Sequence, residues 1–551
     1  MIKANKIVFY ALILIWVLAG SAIFNHTVMN AQPQNNQQDS IRYMRLFTEV
    51  FRFLNLTYAD ELDVDELIIN AIEGMLEELD PHTSFFRPDD FRDFTSNTMG
   101  EFGGLGITID RRGEYITVNQ PIEGTPAYRV GIRSGDRIVE VDGENVVGMS
   151  TSDVISRMRG TPGTRVLIGI SRPGVDDMIN FDIIREIIRI SSVPYAFRLD
   201  NGVGYIRIRS FNAQTTNDLR TAIDNLEAEG INGLLIDLRS NPGGLLTEAV
   251  DTVNEFIGPN RLVVSTRGRM REANRQYNTR FNRMRTGYPV VVLINEASAS
   301  ASEIFAGSLQ DWDKGLVVGK TSFGKGSVQQ LFPLADGYGI KITTSRYYIM
   351  SGRGIHKDIN DRILRGEVFT DEERAEIYRQ NQEKEYFTTN GRVVFGGGGI
   401  VPDIEIDQML MTRLDREIRR LNLTLDFSLE FEANHPDRIT LDFVPDEALI
   451  QEFLEFGTAR GLTFTAEERE ESLEFITLSL VRDIIDKKYG EAEAFRASLA
   501  FDRQLMDALD LFDRFQTLEQ MLEYAATTRT RENQDTNNGE TRSGGRRGRR
   551  G

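Results

Sequence analysis

No cysteine occurs anywhere in the chain. Disulfide bonds, thiolate nucleophiles and cysteine-ligated metals are therefore excluded. The absence leaves the redox compartment open, because an exported protein can simply avoid thiols. Histidine is almost as scarce. His26, His82, His356 and His435 are scattered, and no two have the i, i+4 spacing of a helical zinc site. No metal or other cofactor is expected, and a hydrolase with a histidine base would have few to choose from. Positive charge is also in deficit. The 64 Lys and Arg face 83 Asp and Glu, a formal charge of −19 that argues against wholesale nucleic-acid binding. The apolar share of 40% and charged share of 27% are those of an ordinary globular protein. A chain of 551 residues exceeds one core, so about two to four domains are expected.

One long uncharged apolar run is present. Lys3 and Lys6 precede Ile7 to Phe24, and these eighteen residues span roughly 27 Å as a helix, close to a bilayer core. The basic flank keeps the N-terminus cytoplasmic and the remainder outside. Residues 1–25 are thus expected to be a signal sequence or membrane anchor, with retention favoured over cleavage near Ala31. The expected location is periplasmic, tethered to an inner membrane, or secreted if the segment is cleaved. Residues 26–40 read as a polar spacer. Helical periodicity follows, with Leu46, Val50, Phe53 and Leu54 on one face and Leu67, Ile68, Ala71, Ile72, Met75 and Leu76 on another, giving an N-terminal helical segment over 41–99.

From Gly100 the texture changes to short apolar runs broken by glycine, a small β-rich domain over 100–186. Buried strands at Gly204–Ile208, Leu234–Leu238, Val290–Ile294 and Leu316–Val318 then alternate with helices at Thr216–Glu229, Leu246–Phe256 and Ser300–Leu309, which predicts an α/β core over 187–406. Residues 407–526 read as a helical domain. The tail 527–551, nearly without apolar residues and ending in a basic cluster, is expected to be disordered.

The chemistry concentrates between Asn295 and Gln330. A buried strand ends at Ile294, small residues run through Ala297-Ser298-Ala299-Ser300-Ala301-Ser302, and a helix begins. Such a strand–turn–helix junction exposes a serine and aims helix N-terminal amides at whatever binds there. A serine-rich turn alone is more simply a helix cap. The next segment, Gly319-Lys320-Thr321-Ser322-Phe323-Gly324-Lys325-Gly326-Ser327-Val328-Gln329-Gln330, sets Lys325 between two glycines. It is not a phosphate-binding loop, since no glycine stands at the required spacing before Gly319-Lys320-Thr321. Serine needs a base, and a lysine can serve if burial lowers its pKa from about 10.4 to roughly 7–8. Phe323, Val328 and the Ile304-Phe305 helix face are candidates for that pocket.

These motifs resemble the C-terminal processing (tail-specific) proteases. Asp237-Leu238-Arg239-Ser240-Asn241-Pro242-Gly243-Gly244, Tyr347-Tyr348-Ile349-Met350-Ser351-Gly352-Arg353 and Gly399-Ile400-Val401-Pro402-Asp403 extend the similarity over about residues 40–406. The resemblance implies Ser300 as nucleophile, Lys325 as general base and Gln329 as its assistant. It implies a ββα (crotonase/Clp-like) protease core in a multidomain α+β protein with flanking helical segments. The Ala301 amide and a second donor from the glycine turn, Gly244 in preference to Gly243, are the expected oxyanion hole. A segment of about 40 residues, Gly354 to Val394, interrupts the pattern as an insertion.

The 100–186 module resembles an inserted PDZ domain. Gly104-Leu105-Gly106-Ile107 looks like its carboxylate-binding loop, which implies protein substrates with apolar C-terminal tails. An adaptor or activator protein and a second copy of the chain are further candidate partners, with the terminal helical segments as candidate assembly surfaces. The competing expectation is a catalytically inactive PDZ adaptor on a protease-like scaffold. The topology generates a test: in spheroplasts the folded core should be digested by added protease, and a core that stays protected refutes the outward orientation.

Overall fold

The computed structural model describes residues 34–528, apart from 358, 360, 361, 364, 365, 371, 372, 374, 375, 378–383 and 410. The apolar run Ile7–Phe24, the Ala31 position and the basic end of the tail lie outside the described residues. Among those described, no helix is long and apolar enough to cross a membrane.

The chain divides into two units, Met1–Leu79 and Asp80–Gly551. The first contains the helices Gln34–Thr57 and Val64–Glu77. The former begins seven residues before Ile41, so the second half of the expected spacer is helical. That stretch has no proline or glycine and is rich in glutamine, a fair helix former. The Val64–Glu77 helix starts where the Asp63 side chain accepts from the Glu66 amide. Leu46, Val50, Phe53 and Leu54 form an exposed apolar face.

The second unit is built on a six-stranded sheet whose spatial order follows the sequence: Tyr195–Arg198, Val203–Arg207, Gly233–Asp237, Val290–Ile294, Leu316–Gly319 and Ile404–Glu405. The first pair is antiparallel and the rest are parallel. Both faces are covered, which is why the central strands read as unbroken Val, Leu and Ile. Alternate residues serve opposite layers. Ile206, Ile236 and Val292 pack with Leu219, Val253 and Phe305 of the helices Thr215–Ala228, Leu246–Ile257 and Ala301–Asp311. Tyr205, Leu235 and Val291 pack with Leu505, Ala508 and Phe512 of the helix Arg503–Arg514.

The segment after 407 therefore divides. Leu414 to Ala494 contribute to a helical core of their own, whereas Leu499 to Ala525 complete the protease core by covering the second sheet face. The apolar stripe of the Arg503–Arg514 helix is legible in sequence, but the sheet it covers is not.

A second sheet joins Ser84–Phe86, Gly339–Ile349, Leu262–Arg267 and Arg275–Asn278, with Ser327–Pro333 also paired to Gly339–Ile349. Ser84–Phe86, expected within an N-terminal helical segment, is thus a strand of the protease core. The helix Pro88–Met99 follows it directly.

The β-rich module has strands in the order Ile107–Arg112, Tyr115–Pro121, Arg137–Val141, Arg165–Ser171 and Ile179–Ile184. Its entry and exit, Glu101–Gly104 and Glu186–Arg189, pair antiparallel, so the insertion begins and ends side by side. Arg159 of the module also pairs with Asp93 of the Pro88–Met99 helix at 2.8 Å. Of the Gly354–Val394 insertion, the described part includes a hairpin, Glu385–Phe387 with Val393–Phe395.

Candidate active site

The run Ser298-Ala299-Ser300-Ala301-Ser302 lies against the Asp237–Gly244 loop. Ser298 Oγ donates to the Leu238 carbonyl and Ser302 Oγ to the Asn241 carbonyl, both buried. The Ala299 amide donates to the Asn241 carbonyl at 2.9 Å. The outer serines are thus used to staple two loops, and the alanines allow the close approach. Ser300 differs: its backbone has φ 56° and ψ −112° at the N-cap of Ala301–Asp311. This left-handed conformation in a residue with a side chain is of the kind that costs about 1–3 kcal/mol and clusters at functional sites.

Ser300, Lys325, Gln329, Gly243 and Gly244 line one cleft of about 630 Å³. Its walls also include Ile304, Val328, Leu246 and, from the Pro88–Met99 helix, Phe94. Of the pocket expected around Lys325, Val328 and Ile304 face the cleft, whereas Phe305 is turned into the core against Phe211 and Phe256.

Two side chains hold Ser300 and Lys325 in register. The amides of both residues donate to the same oxygen of Glu303, Oε2, at 2.8 and 2.9 Å. The carbonyls of both face the Tyr347 hydroxyl, at 3.1 and 2.5 Å, and share its proton. The other Glu303 oxygen accepts from the Gly324 amide and the Ser322 hydroxyl. Glu303 is fully buried. Burial pushes its carboxyl up from the usual carboxylate range, and the four donors offset part of that rise.

Glu303 and Tyr347 stand within the motifs that carry the resemblance but were given no role of their own, although Ser300-x-x-Glu303 also fits the capping-box pattern that signals a helix start. Lys357 was also missed. Its side chain packs where a Gly324 Cβ would stand, and its Nζ donates to the Ser322 carbonyl at 2.9 Å. Burial lowers its pKa to about 8, against the pull of Glu303. Lys357 faces another cavity, beside Lys320 and Glu296, and does not share the cleft with Ser300.

Gln329 donates through Nε2 to Ser327 Oγ and Thr343 Oγ1, at 2.9 and 3.2 Å, which orients its carbonyl end. In the glycine turn, the Gly243 amide is taken by the Asn241 side chain at 2.8 Å. The amides of Gly244 and Ala301 have no acceptor among the described residues. A Cβ on Gly243 would lie 2.7 Å from the Ala301 nitrogen, so the turn and the helix start adjoin. Gly244 has φ +149°, and a Cβ there would meet the Phe211 carbonyl oxygen at 2.0 Å, so only glycine fits.

Beneath this turn Asp237 is fully buried between Arg207 and Arg239. Burial alone raises its pKa, but the two guanidinium groups outweigh that and hold it well below the usual range. Arg239 reaches on to Asp502, at the N-cap of the Arg503–Arg514 helix, with contacts of 2.6 and 3.0 Å.

In the β-rich module, Gly104, Leu105, Gly106 and Ile107 all line a separate groove of about 230 Å³, with Phe102, Ile155, Met158 and Arg159. The Leu105 and Gly106 amides have no acceptor among the described residues.

The Glu303 cluster makes a thermodynamic prediction. Glu303→Gln places an amide NH₂ among four donors and should lower the unfolding free energy by about 1–3 kcal/mol. Urea denaturation measures this, and an unchanged midpoint would show that the carboxylate does not organise these loops.

Among known proteins, the family model "Peptidase family S41" matches residues 202–364 and "PDZ domain" matches residues 117–172. A carboxy-terminal-processing protease of Bartonella bacilliformis is 37% identical over 347 residues, covering 62% of this chain and 79% of that one. The carboxy-terminal processing protease CtpA of Bacillus subtilis is 35% identical over 303 residues, covering 54% and 64%. A solved photosystem II D1 C-terminal processing protease is 27% identical, covers 67% of this chain and 95% of its own, and aligns with a TM-score of 0.35. With a PDZ module inserted ahead of an S41 core, the chain belongs to the carboxy-terminal processing protease family and is a protease.

Proposed function

We propose that this protease works as a serine endopeptidase with a Ser300–Lys325 dyad and takes its substrates by their C-terminal tails. The observation that carries the dyad is the shared clamp: Glu303 binds both amides and Tyr347 both carbonyls, in a cleft lined by both residues. The neutral Lys325 amine accepts the hydroxyl proton of Ser300 as Oγ attacks the scissile carbonyl. The developing oxyanion sits between the amides of Ala301 and Gly244, which nothing else engages among the described residues. The lysine returns the proton to the leaving amine, and then deprotonates the water that releases the acyl group. The Gln329 carbonyl orients the lysine. Lys357, despite its lowered pKa, serves the opposite side of the loop by holding the Ser322 carbonyl.

Tail capture is assigned to the PDZ groove. A substrate terminus lies against Gly104–Ile107, its carboxylate taking the Leu105 and Gly106 amides and its last side chain entering the pocket with Ile155 and Met158. Export across a membrane, with the core outside the cytoplasm, remains part of this reading on the strength of the Lys3/Lys6–Ile7–Phe24 pattern. The same exposed apolar face of Gln34–Thr57 is offered as the assembly surface.

The test is cleavage of an unstructured protein ending in apolar residues. Ser300→Ala should abolish it. Lys325→Arg should lower the rate by at least about a thousandfold with the fold intact by circular dichroism, because a guanidinium stays charged and cannot take the proton. Activity retained in Lys325→Arg would sink the dyad. Amidating the substrate's C-terminus should weaken binding by about tenfold through loss of charge-assisted hydrogen bonds. Unchanged affinity would remove the tail from the role given to the PDZ module.

A further inference from the structure

A second lysine looks into the cleft. Lys341 lies on the strand Gly339–Ile349, opposite Leu331 on one side and Ser84 on the other, and it lines the same cavity as Ser300 and Lys325. It is partly buried. Its Nζ stands over two aromatic rings, Phe94 at 5.2 Å and Phe86 at 5.4 Å. Among the described residues it makes no ion pair and no hydrogen bond. Burial lowers its pKa, and Asp80 acts against that. Asp80, however, is committed elsewhere: Oδ1 accepts from the amides of His82 and Thr83 and from Thr343 Oγ1, and Oδ2 from Thr83 Oγ1. A cation that gives up part of its hydration beside two rings, with no carboxylate to pair with, is costly unless a ligand supplies one. The dyad does not use it, since Lys325 is held by the Glu303–Tyr347 clamp and Lys341 by neither residue.

We propose that Lys341 is a specificity-determining residue that reads a carboxylate on the substrate close to the scissile bond. This rests on the Ser300 reading of the cleft. The ammonium, set over the Phe94 and Phe86 rings in the cleft that Leu331 also lines, suits an acidic side chain, or the chain terminus when the bond lies near it. Both sources present the same group. The aromatic walls remove competing water, so the contact gains strength over an exposed pair. The protein then has two independent readers: the PDZ groove selects the tail at a distance, and Lys341, in the cleft, selects the sequence at the bond.

The full chain is tested with acetylated and amidated peptides of one scissile bond, carrying Glu or Gln at each flanking position in turn. At one position wild type should favour Glu over Gln by about tenfold in kcat/KM, the scale of one charge-assisted hydrogen bond. The Glu-to-Gln ratio should fall to about one in Lys341→Gln, persist in Lys341→Arg, and invert in favour of Gln in Lys341→Glu. Taking the ratio within each variant cancels any partial loss of folded enzyme. Peptides with a free terminus just beyond the bond separate the two sources, and a preference confined to them assigns the carboxylate to the chain end. No charge preference at any position, or one identical in wild type and Lys341→Gln, overturns the inference. Cleavage that persists in Ser300→Ala instead overturns the reading beneath it. Peptide binding, followed by fluorescence anisotropy in Ser300→Ala with and without Lys341→Gln, gives the same comparison without turnover. Equal affinity of Ser300→Ala for the Glu and Gln peptides would again reject the role.

Discussion

One carboxylate organises the site. Glu303 lies three residues past Ser300 on the same helix, and its two oxygens gather four donors from two stretches of chain. A carboxylate without water is expensive, and hydrogen bonds of this number are what make it tolerable. The consequence is geometric. Because Ser300 and Lys325 donate to the same atom, neither backbone can shift without breaking a bond that the other also depends on. Tyr347 repeats the constraint from the carbonyl side. The left-handed backbone of Ser300 is held in place by this double clamp.

The rest of the fold is arranged to deliver those loops. Strands Gly233–Asp237 and Val290–Ile294 are parallel neighbours, so their C-terminal ends emerge together, one leading to the glycine turn and the other to the serine run. Ser298 and Ser302 then stitch the two exits. The third exit, after Leu316–Gly319, carries the lysine loop. Ligand sites in open parallel sheets form at such carboxyl ends. The second sheet supplies the far wall, through Tyr347 and Lys341 of one long strand.

What the sequence made legible was whatever is local. Buried strands announced themselves as unbroken Val, Leu and Ile, and the serine and lysine loops by small residues around a reactive one. Glu303 was visible as part of the serine motif and its helix cap but not as a clamp, because the pattern says nothing of a second loop, 22 residues on, that donates to the same oxygen. Tyr347 opens one of the motifs that carry the resemblance, but the motif does not say which groups its hydroxyl meets, and Lys357 comes from an insertion with no pattern pointing back to the site. Ser84–Phe86 escaped notice because three residues between helical segments carry no measurable alternation. The Arg503–Arg514 helix was legible as amphipathic, but an apolar stripe does not name its partner, and so its place on the protease sheet was missed. Lys341 is one of two basic residues on its strand, and in sequence it looks like any solvated residue.

The bond from Arg239 to Asp502 joins the glycine turn to a helix start 263 residues on. Asp237, Arg239 and Asp502 form one relay of charge, and its last member is made well after the loops it braces. The helix that follows Asp502 also seals the second face of the central sheet. A chain still emerging from the ribosome therefore carries Ser300 and Lys325 before Asp502 can brace the turn that faces them. Synthesis order thus leaves the turn beside Ser300 unbraced until the Arg503–Arg514 helix has been made.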